Sequence, residues 1–319
     1  MRKSIVILII SMIFLLICSS ICLADALTIS PDQPGPYHID SYKVWYFAFP
    51  YGIYKATIRY PSTLDGQRTP VDISNAPYPV IIIANGLAGS EEQITWIPEH
   101  LTSYGYVTLC FTPPHRFSFD TTQWSYGFLA GFRELQKQNQ YRFSPIYNIL
   151  DTNTCGAIGL SMGGGGVIEA TGNINSVIDA SVALAPAGFP SVYNAAQNIK
   201  VPIQLQVGTV DKLVPPNHVK KIYTQHITNN TNKEYLCING GNHIGFIDEY
   251  YARIAQQMGI DNPAGISVEQ QHNISKKYFT AWFEYYLRNL DEYYTYIFGQ
   301  EAQKDLDEGI LTDLQYNIT

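Results

Sequence analysis

Residues 155–167 read C-G-A-I-G-L-S-M-G-G-G-G-V, and at their centre stands Gly159-Leu160-Ser161-Met162-Gly163, a G-x-S-x-G pentapeptide. An apolar run at 156–158 precedes it and a glycine-rich stretch follows, which predicts a buried strand turning sharply into a helix. Such a turn has no room for side chains at Gly159 or Gly163, and it holds the serine in a strained backbone that pushes Oγ outward. Ser161 then sits at a helix N-terminus, where unpaired N–H groups favour negative charge. The Met162 N–H is placed to bind an oxyanion formed when the serine attacks a carbonyl. A phosphate loop does not fit the same glycines, because Val167 stands where that motif needs lysine. No G-x-G-x-x-G opens the helix, so a dinucleotide fingerprint does not fit either. Gly164, Gly165 and Gly166 read in addition as a close packing point between helix and neighbours.

Around this elbow the chain alternates strand-like and helix-like stretches. Residues 44–49 and 54–60 read as an antiparallel opening pair ended by Pro61, followed by a Gly/Pro/Asp/Asn-rich loop at 62–79. Residues 80–84 form a continuous apolar run, the mark of a strand buried on both faces. A helix at 94–103, a strand at 106–111 and a helix at 121–140 follow, the last with Phe128, Phe132 and Leu135 on one face. Strands are predicted at 177–184, 203–207 and 234–238, the last of these closing the sheet. A long helix at 268–290 carries Tyr278, Trp282 and Tyr285 on one stripe, read as core packing. Ser267 with Gln270 gives it a capping box. This order predicts an α/β fold with a mostly parallel central sheet flanked by helices. The 319 residues suit one large domain, and 46% apolar with 15% charged residues argues for a globular chain and against disorder. A net charge of −7 leaves no basic footprint for nucleic acid.

The N-terminus carries Arg2 and Lys3, an apolar run at 5–17 and Ala24-Asp25-Ala26, which together read as a signal peptide over residues 1–26. Export and a mature chain of 27–319 are expected; if the segment is retained it is an anchor, and the domain still lies outside the membrane. Cys110, Cys155 and Cys237 fall in strand-like runs and read as buried free thiols.

Catalytic groups in such sheets gather at the carboxyl ends of the strands. Asp211 follows the strand at 203–207, and His243 follows the strand at 234–238. The order Ser161, Asp211, His243 is that of an α/β-hydrolase triad, with Asp179 and Asp248 as fallback acids. A second oxyanion donor is expected from the loop after 80–84, and Leu87 is the candidate for its backbone N–H, with Gly86 and Gly89 permitting close approach.

With these residues in place the chain resembles the cutinase-like polyesterases, including hydrolases of poly(ethylene terephthalate), within the dienelactone-hydrolase-like esterases. The resemblance covers about residues 35–300 and rests on Gly159-x-Ser161-Met162-Gly163-Gly164-Gly165-Gly166. Pro79-Val80-Ile81-Ile82-Ile83 with Asn85-Gly86, Ser103-Tyr104-Gly105-Tyr106-Val107, Asn148-Ile149-Leu150-Asp151 and Ala281-Trp282-Phe283 support it. It implies an α/β-hydrolase fold without a large cap, Ser161 as nucleophile, His243 as base, Asp211 as its partner, and the Leu87 and Met162 amides as oxyanion hole. Leu160 and Ala187 take the positions of substrate-cleft residues. Here the chain departs from the family, which has an aromatic residue at the Leu87 position, His or Trp at Leu160, and Trp at Ala187. Tyr250 and Tyr251 are candidates to replace the missing rings. The family's closing disulfide has no counterpart, and residues 245–271 read as an insertion after His243. Only 185–200 separates two strands before Asp211, too short for a helical cap, so an open site is expected unless the insertion covers it.

The leading expectation is a secreted, monomeric serine carboxylic-ester hydrolase that needs no metal or cofactor and acts through an acyl-enzyme on a small or polymeric ester. A lipid acyl-hydrolase or peptidase on the same fold is the alternative within hydrolases. A non-catalytic surface binding protein is the alternative from another class, and labelling by a fluorophosphonate separates it from the enzymes.

Overall fold

A computed structural model describes residues 29–66 and 68–318. The signal segment at 1–26 lies outside the described residues. Among the described residues nine strands form one sheet, and it is built from β1 (His38–Ala48), β2 (Gly52–Ser62), β3 (Tyr78–Ala84), β4 (Val107–Thr112), β5 (Leu150–Leu160), β6 (Ala180–Leu184), β7 (Ile203–Gly208), β8 (Lys233–Ile238) and β9 (Leu311–Asn317). Their spatial order is β1-β2-β4-β3-β5-β6-β7-β8-β9. The six strands β3 to β8 run parallel, while β1, β2 and β9 are antiparallel to their neighbours. The helices named below are α1 (Trp96–Ser103), α2 (Thr122–Gln140), α3 (Met162–Thr171), α4 (Pro190–Ala196), α5 (Pro216–Lys221), α6 (Glu249–Gln257) and α7 (Val268–Arg288).

The apolar run of β3 shows why the parallel centre forms. All seven residues are buried, and alternate side chains enter opposite cores. Val80, Ile82 and Ala84 join Trp124 and Phe128 of α2 on one face. Ile81 and Ile83 join Ile97 of α1 and Phe283 of α7 on the other. Each fully buried isoleucine contributes about 1.5–3 kcal/mol, so a strand with no polar face is stable only when helices cover both sides. The α7 stripe is core packing: Tyr278 and Trp282 are fully buried, and Tyr285 packs against the same cluster. Ser267 Oγ accepts from the Gln270 N–H and Gln270 Oε1 accepts from the Ser267 N–H, which completes the capping box. Cys110, Cys155 and Cys237 are buried free thiols.

Three boundaries differ from those expected. The strand Lys233–Ile238 does not close the sheet, because β9 pairs antiparallel along it from Lys233↔Asn317 to Ile238↔Leu311. Its sequence, L-T-D-L-Q-Y-N, is polar because it covers an edge and buries only Leu311 well. Pro61 does not end β2, which continues to Ser62. The Pro61 carbonyl accepts from the Asp72 N–H, so the missing N–H also faces away from β1, beyond the stretch where β4 pairs. The helix expected at 94–103 starts two residues later, as α1 at Trp96, and a 3-10 turn at Glu91–Gln93 precedes it.

On β8, Glu234 is fully buried with Oε2 accepting from Gln204 Nε2 at 2.5 Å, while Oε1 has no partner among the described residues. Burial pushes its carboxyl well above the usual carboxylate range. The folded state therefore holds this proton above the pH at which the unfolded chain releases it, so stability falls as pH rises past the ordinary glutamate value. Glu234→Gln is expected to raise the melting temperature at pH 8 and to change it less at pH 4. Equal shifts at both pH values in thermal unfolding would show that Glu234 titrates normally.

Candidate active site

The elbow occupies the carboxyl end of β5. Ser161 has φ 58° and ψ −115°, a conformation that costs a non-glycine residue about 1–3 kcal/mol. The surroundings hold it there: its N–H donates to Leu184 O at 2.9 Å, and its carbonyl accepts from Gly165 N at 2.9 Å and Ala187 N at 2.8 Å. A Cβ on Gly159 would lie 2.3 Å from Gly163 O, and one on Gly163 would lie 2.6 Å from Ala84 O. Both glycines are thus required by contact with backbone that cannot move aside. Gly166 has a packing duty, since a Cβ there would meet Trp124 Cβ of α2 at 2.3 Å.

The loop after β3 folds over the serine. A Cβ on Gly86 would stand 2.6 Å from Ser161 Cβ and 3.2 Å from Oγ, which places this backbone against the hydroxyl. The loop is pinned by Asn85, whose Oδ1 accepts from the Gly86 N–H, whose Nδ2 donates to Ser90 O, and whose carbonyl accepts from Trp124 Nε1 at 2.7 Å. Leu87 and Met162 both line the cleft beside Ser161. Met162 is the first residue of α3, so its N–H is one of the donors that a helix leaves unpaired at its start.

Asp211 and His243 stand on the loops after β7 and β8. His243 Nδ1 donates to Asp211 Oδ2 at 2.8 Å, and both residues are buried, at 7% and 4% exposure. Asp211 Oδ1 accepts from the Val214 N–H at 2.7 Å, which fixes the rotation of the carboxylate. The fallback acids are engaged elsewhere. Asp179 accepts from the Cys155 N–H at the middle of β5, and Asp248 accepts from Thr95 N, Thr95 Oγ1 and Trp96 N at the start of α1. Burial pushes the imidazoles of His100 and His272 down to about 3, and these rings sit in the core against Thr280 and Trp96.

A cleft of about 600 Å³ brings Ser161, His243, Leu87, Met162, Leu160 and Ala187 together. Leu160 is 2% exposed, so it contributes little surface. The rings in this cleft are Phe119 and Phe189. Tyr250 and Tyr251 do not line it; they pack edge-to-face on each other, with centroids 5.2 Å apart. Sequence reading missed both phenylalanines because each lies in a loop without periodicity, where an aromatic has no pattern to betray its direction. The insertion also lines the site: Ile247, Ala255 and Ile260 form one wall, so the cleft is less open than the short 185–200 connection suggests. Asp261, from the same insertion, reaches the loops of both Asp211 and His243 and carried no signal in the sequence. Among the described residues no group of three or more His, Cys, Asp or Glu side chains could hold a metal ion.

The PET hydrolase-like family matches residues 32–310, nearly the whole described chain. The chain belongs to this family. Its nine-stranded sheet flanked by helices, with no large cap, is the α/β-hydrolase architecture of PET hydrolase-like proteins. Similar relatives include two cutinases of Thermobifida alba, each 24% identical over 173 residues, or 53% of this chain and 54% of the cutinase. A bis(hydroxyethyl) terephthalate hydrolase of Streptomyces coelicolor is 26% identical over 213 residues, or 66% of this chain and 61% of that enzyme. The chain therefore spans only between 54% and 61% of the length of these relatives.

Proposed function

We propose that this member of the PET hydrolase-like family is an exported serine carboxylic-ester hydrolase. The observation that carries the reading is that His243, bonded to the buried Asp211, lines the same cleft as Ser161 on its strained elbow. Asp211 holds the imidazole with Nδ1 protonated, which leaves Nε2 to take the Ser161 proton as Oγ attacks the ester carbonyl. The Leu87 and Met162 N–H groups stabilise the tetrahedral oxyanion. Its collapse expels the alcohol, which recovers the proton from His243 and leaves an acyl-enzyme. Water, deprotonated by the same imidazole, then releases the acid and regenerates Ser161. The names of the similar relatives support an ester substrate, and the basic-apolar N-terminus with Ala24-Asp25-Ala26 supports export.

A cleft walled by Phe119, Phe189, Leu213, Ile247 and Ile260 suits an apolar acyl group of limited size. The proposed preference is for short aliphatic esters over aromatic polyester, because Leu87 and Ala187 stand where the family grips a ring with aromatic side chains. An aromatic pair adds about 0.5–1.5 kcal/mol beyond area burial. Two lost pairs correspond to about ten- to a hundredfold in specificity. A chain-length series of nitrophenyl esters, with product release from a terephthalate ester film, tests the reading. Fast turnover of short esters and weak film hydrolysis are expected, with a gain on film from the Leu87→Tyr, Ala187→Trp double variant. Strong wild-type film hydrolysis, or no gain in the variant, would show that the cleft grips the ring by other groups, such as Phe119. A chain that hydrolyses no ester and is not labelled by a fluorophosphonate is not an esterase.

A further inference from the structure

The Asp211–His243 pair depends on two separate loops holding one register, and a single dipeptide of the insertion is bonded to both. Asp261 is 4% exposed, and backbone N–H groups bond to both of its oxygens. Its Oδ1 accepts from Lys212 N at 2.9 Å, the residue after the catalytic-acid candidate, and from Asn262 N at 2.8 Å. Its Oδ2 accepts from His243 N at 2.6 Å and from Ile244 N at 3.3 Å. Asn262 repeats the bridge beside it, with Nδ2 donating to Val210 O at 3.0 Å and its carbonyl accepting from Asn242 Nδ2 at 2.7 Å. The residues flanking Asp211 on both sides and the residues flanking His243 on both sides are thus tied to two consecutive positions.

We propose that Asp261 and Asn262 form a clamp that positions the triad, with Asp261 as the principal positioning residue. The proposal rests on the triad reading given above. A carboxylate suits the task because both of its oxygens accept, and four N–H groups converge on them. An amide of the same shape must turn an NH₂ toward two of those donors and releases one loop. The two loops also meet through Val210 N and Gly241 O at 3.0 Å, so the clamp refines a contact that exists without it. Refinement matters, because a displacement of about 1 Å between reacting groups costs on the order of a hundredfold in rate. The insertion therefore does more than wall the cleft: its dipeptide at 261–262 sets the geometry of the groups that act there.

The test compares Asp261→Asn, Asn262→Ala, Asp211→Ala and the Asp211→Ala, Asp261→Asn double variant in the full chain. Turnover of a short nitrophenyl ester is read per folded molecule, with folding followed by circular dichroism. Asp261→Asn is expected to lower kcat by about tenfold or more with little change in KM. On the Asp211→Ala background the same change is expected to cost little further, because a misplaced partner matters only while the partner is present. Asn262 is exposed, so Asn262→Ala folds in any case, and a kcat loss of about threefold is expected from one missing bond. Wild-type kcat in folded Asp261→Asn or in Asn262→Ala overturns the clamp, as does an Asp261 effect of equal size with and without Asp211. If Asp211→Ala itself keeps full kcat, the triad reading fails first and the clamp falls with it.

Discussion

Ser161→Ala is expected to remove ester turnover, lowering kcat by several orders of magnitude while the fold survives. The magnitude follows from the role: without Oγ there is no acyl-enzyme, and what remains is the weak rate enhancement of binding and oxyanion stabilisation. The fold survives because the hydroxyl has no structural duty. Ser161 is held by its backbone N–H and carbonyl, through Leu184, Gly165 and Ala187, and its side chain makes no capping bond to α3. Alanine also accepts the strained φ of 58° no worse than serine does, since both carry one Cβ. The measurement is steady-state hydrolysis of a nitrophenyl ester beside fluorophosphonate labelling and a melting curve. Residual turnover above about a tenth of wild type, with a normal melting curve, would mean that another group attacks the ester.

How much of this was legible in the sequence depended on whether the signal was local. The elbow was readable because steric need forces glycine at 159 and 163, and a required glycine is visible in a sequence. The buried strands were readable because burial on both faces demands an unbroken apolar run, as in β3. β9 was not, because an edge strand packed against β8 needs only Leu311 inside and so looks like loop. The pairing of Asp211 with His243 was suggested by chain order, whereas Asp261 had none to suggest it: I-D-N-P is an ordinary turn sequence until folding delivers it to two distant loops. Phe119 and Phe189 belong to the same class. Their importance comes from where the loops end, which the 3.6- and 2-residue periods of helices and strands do not encode.

Asp211→Asn is expected to lower kcat by about ten-thousandfold, nearly as much as loss of the serine, although the change removes no atom of the frame. An asparagine keeps the 2.7 Å bond from the Val214 N–H by presenting its carbonyl there, and this turns its NH₂ toward His243 Nδ1. Nδ1 must then accept, which moves the ring proton to Nε2, the nitrogen that has to take the proton of Ser161. The imidazolium formed during attack also loses the carboxylate that stabilises it in a buried site. The two other acids give the comparison its force. Asp248→Asn loosens the start of α1, where Thr95 and Trp96 donate to it, and is expected to lower the melting temperature while kcat stays within about twofold of wild type, as for a change away from the reacting groups. Asp179→Asn changes the acceptor of the Cys155 N–H and should behave likewise. The assignment is overturned if Asp248→Asn or Asp179→Asn carries the large kcat loss and Asp211→Asn does not, because the working imidazole would then be oriented by a carboxylate that this structure holds away from His243.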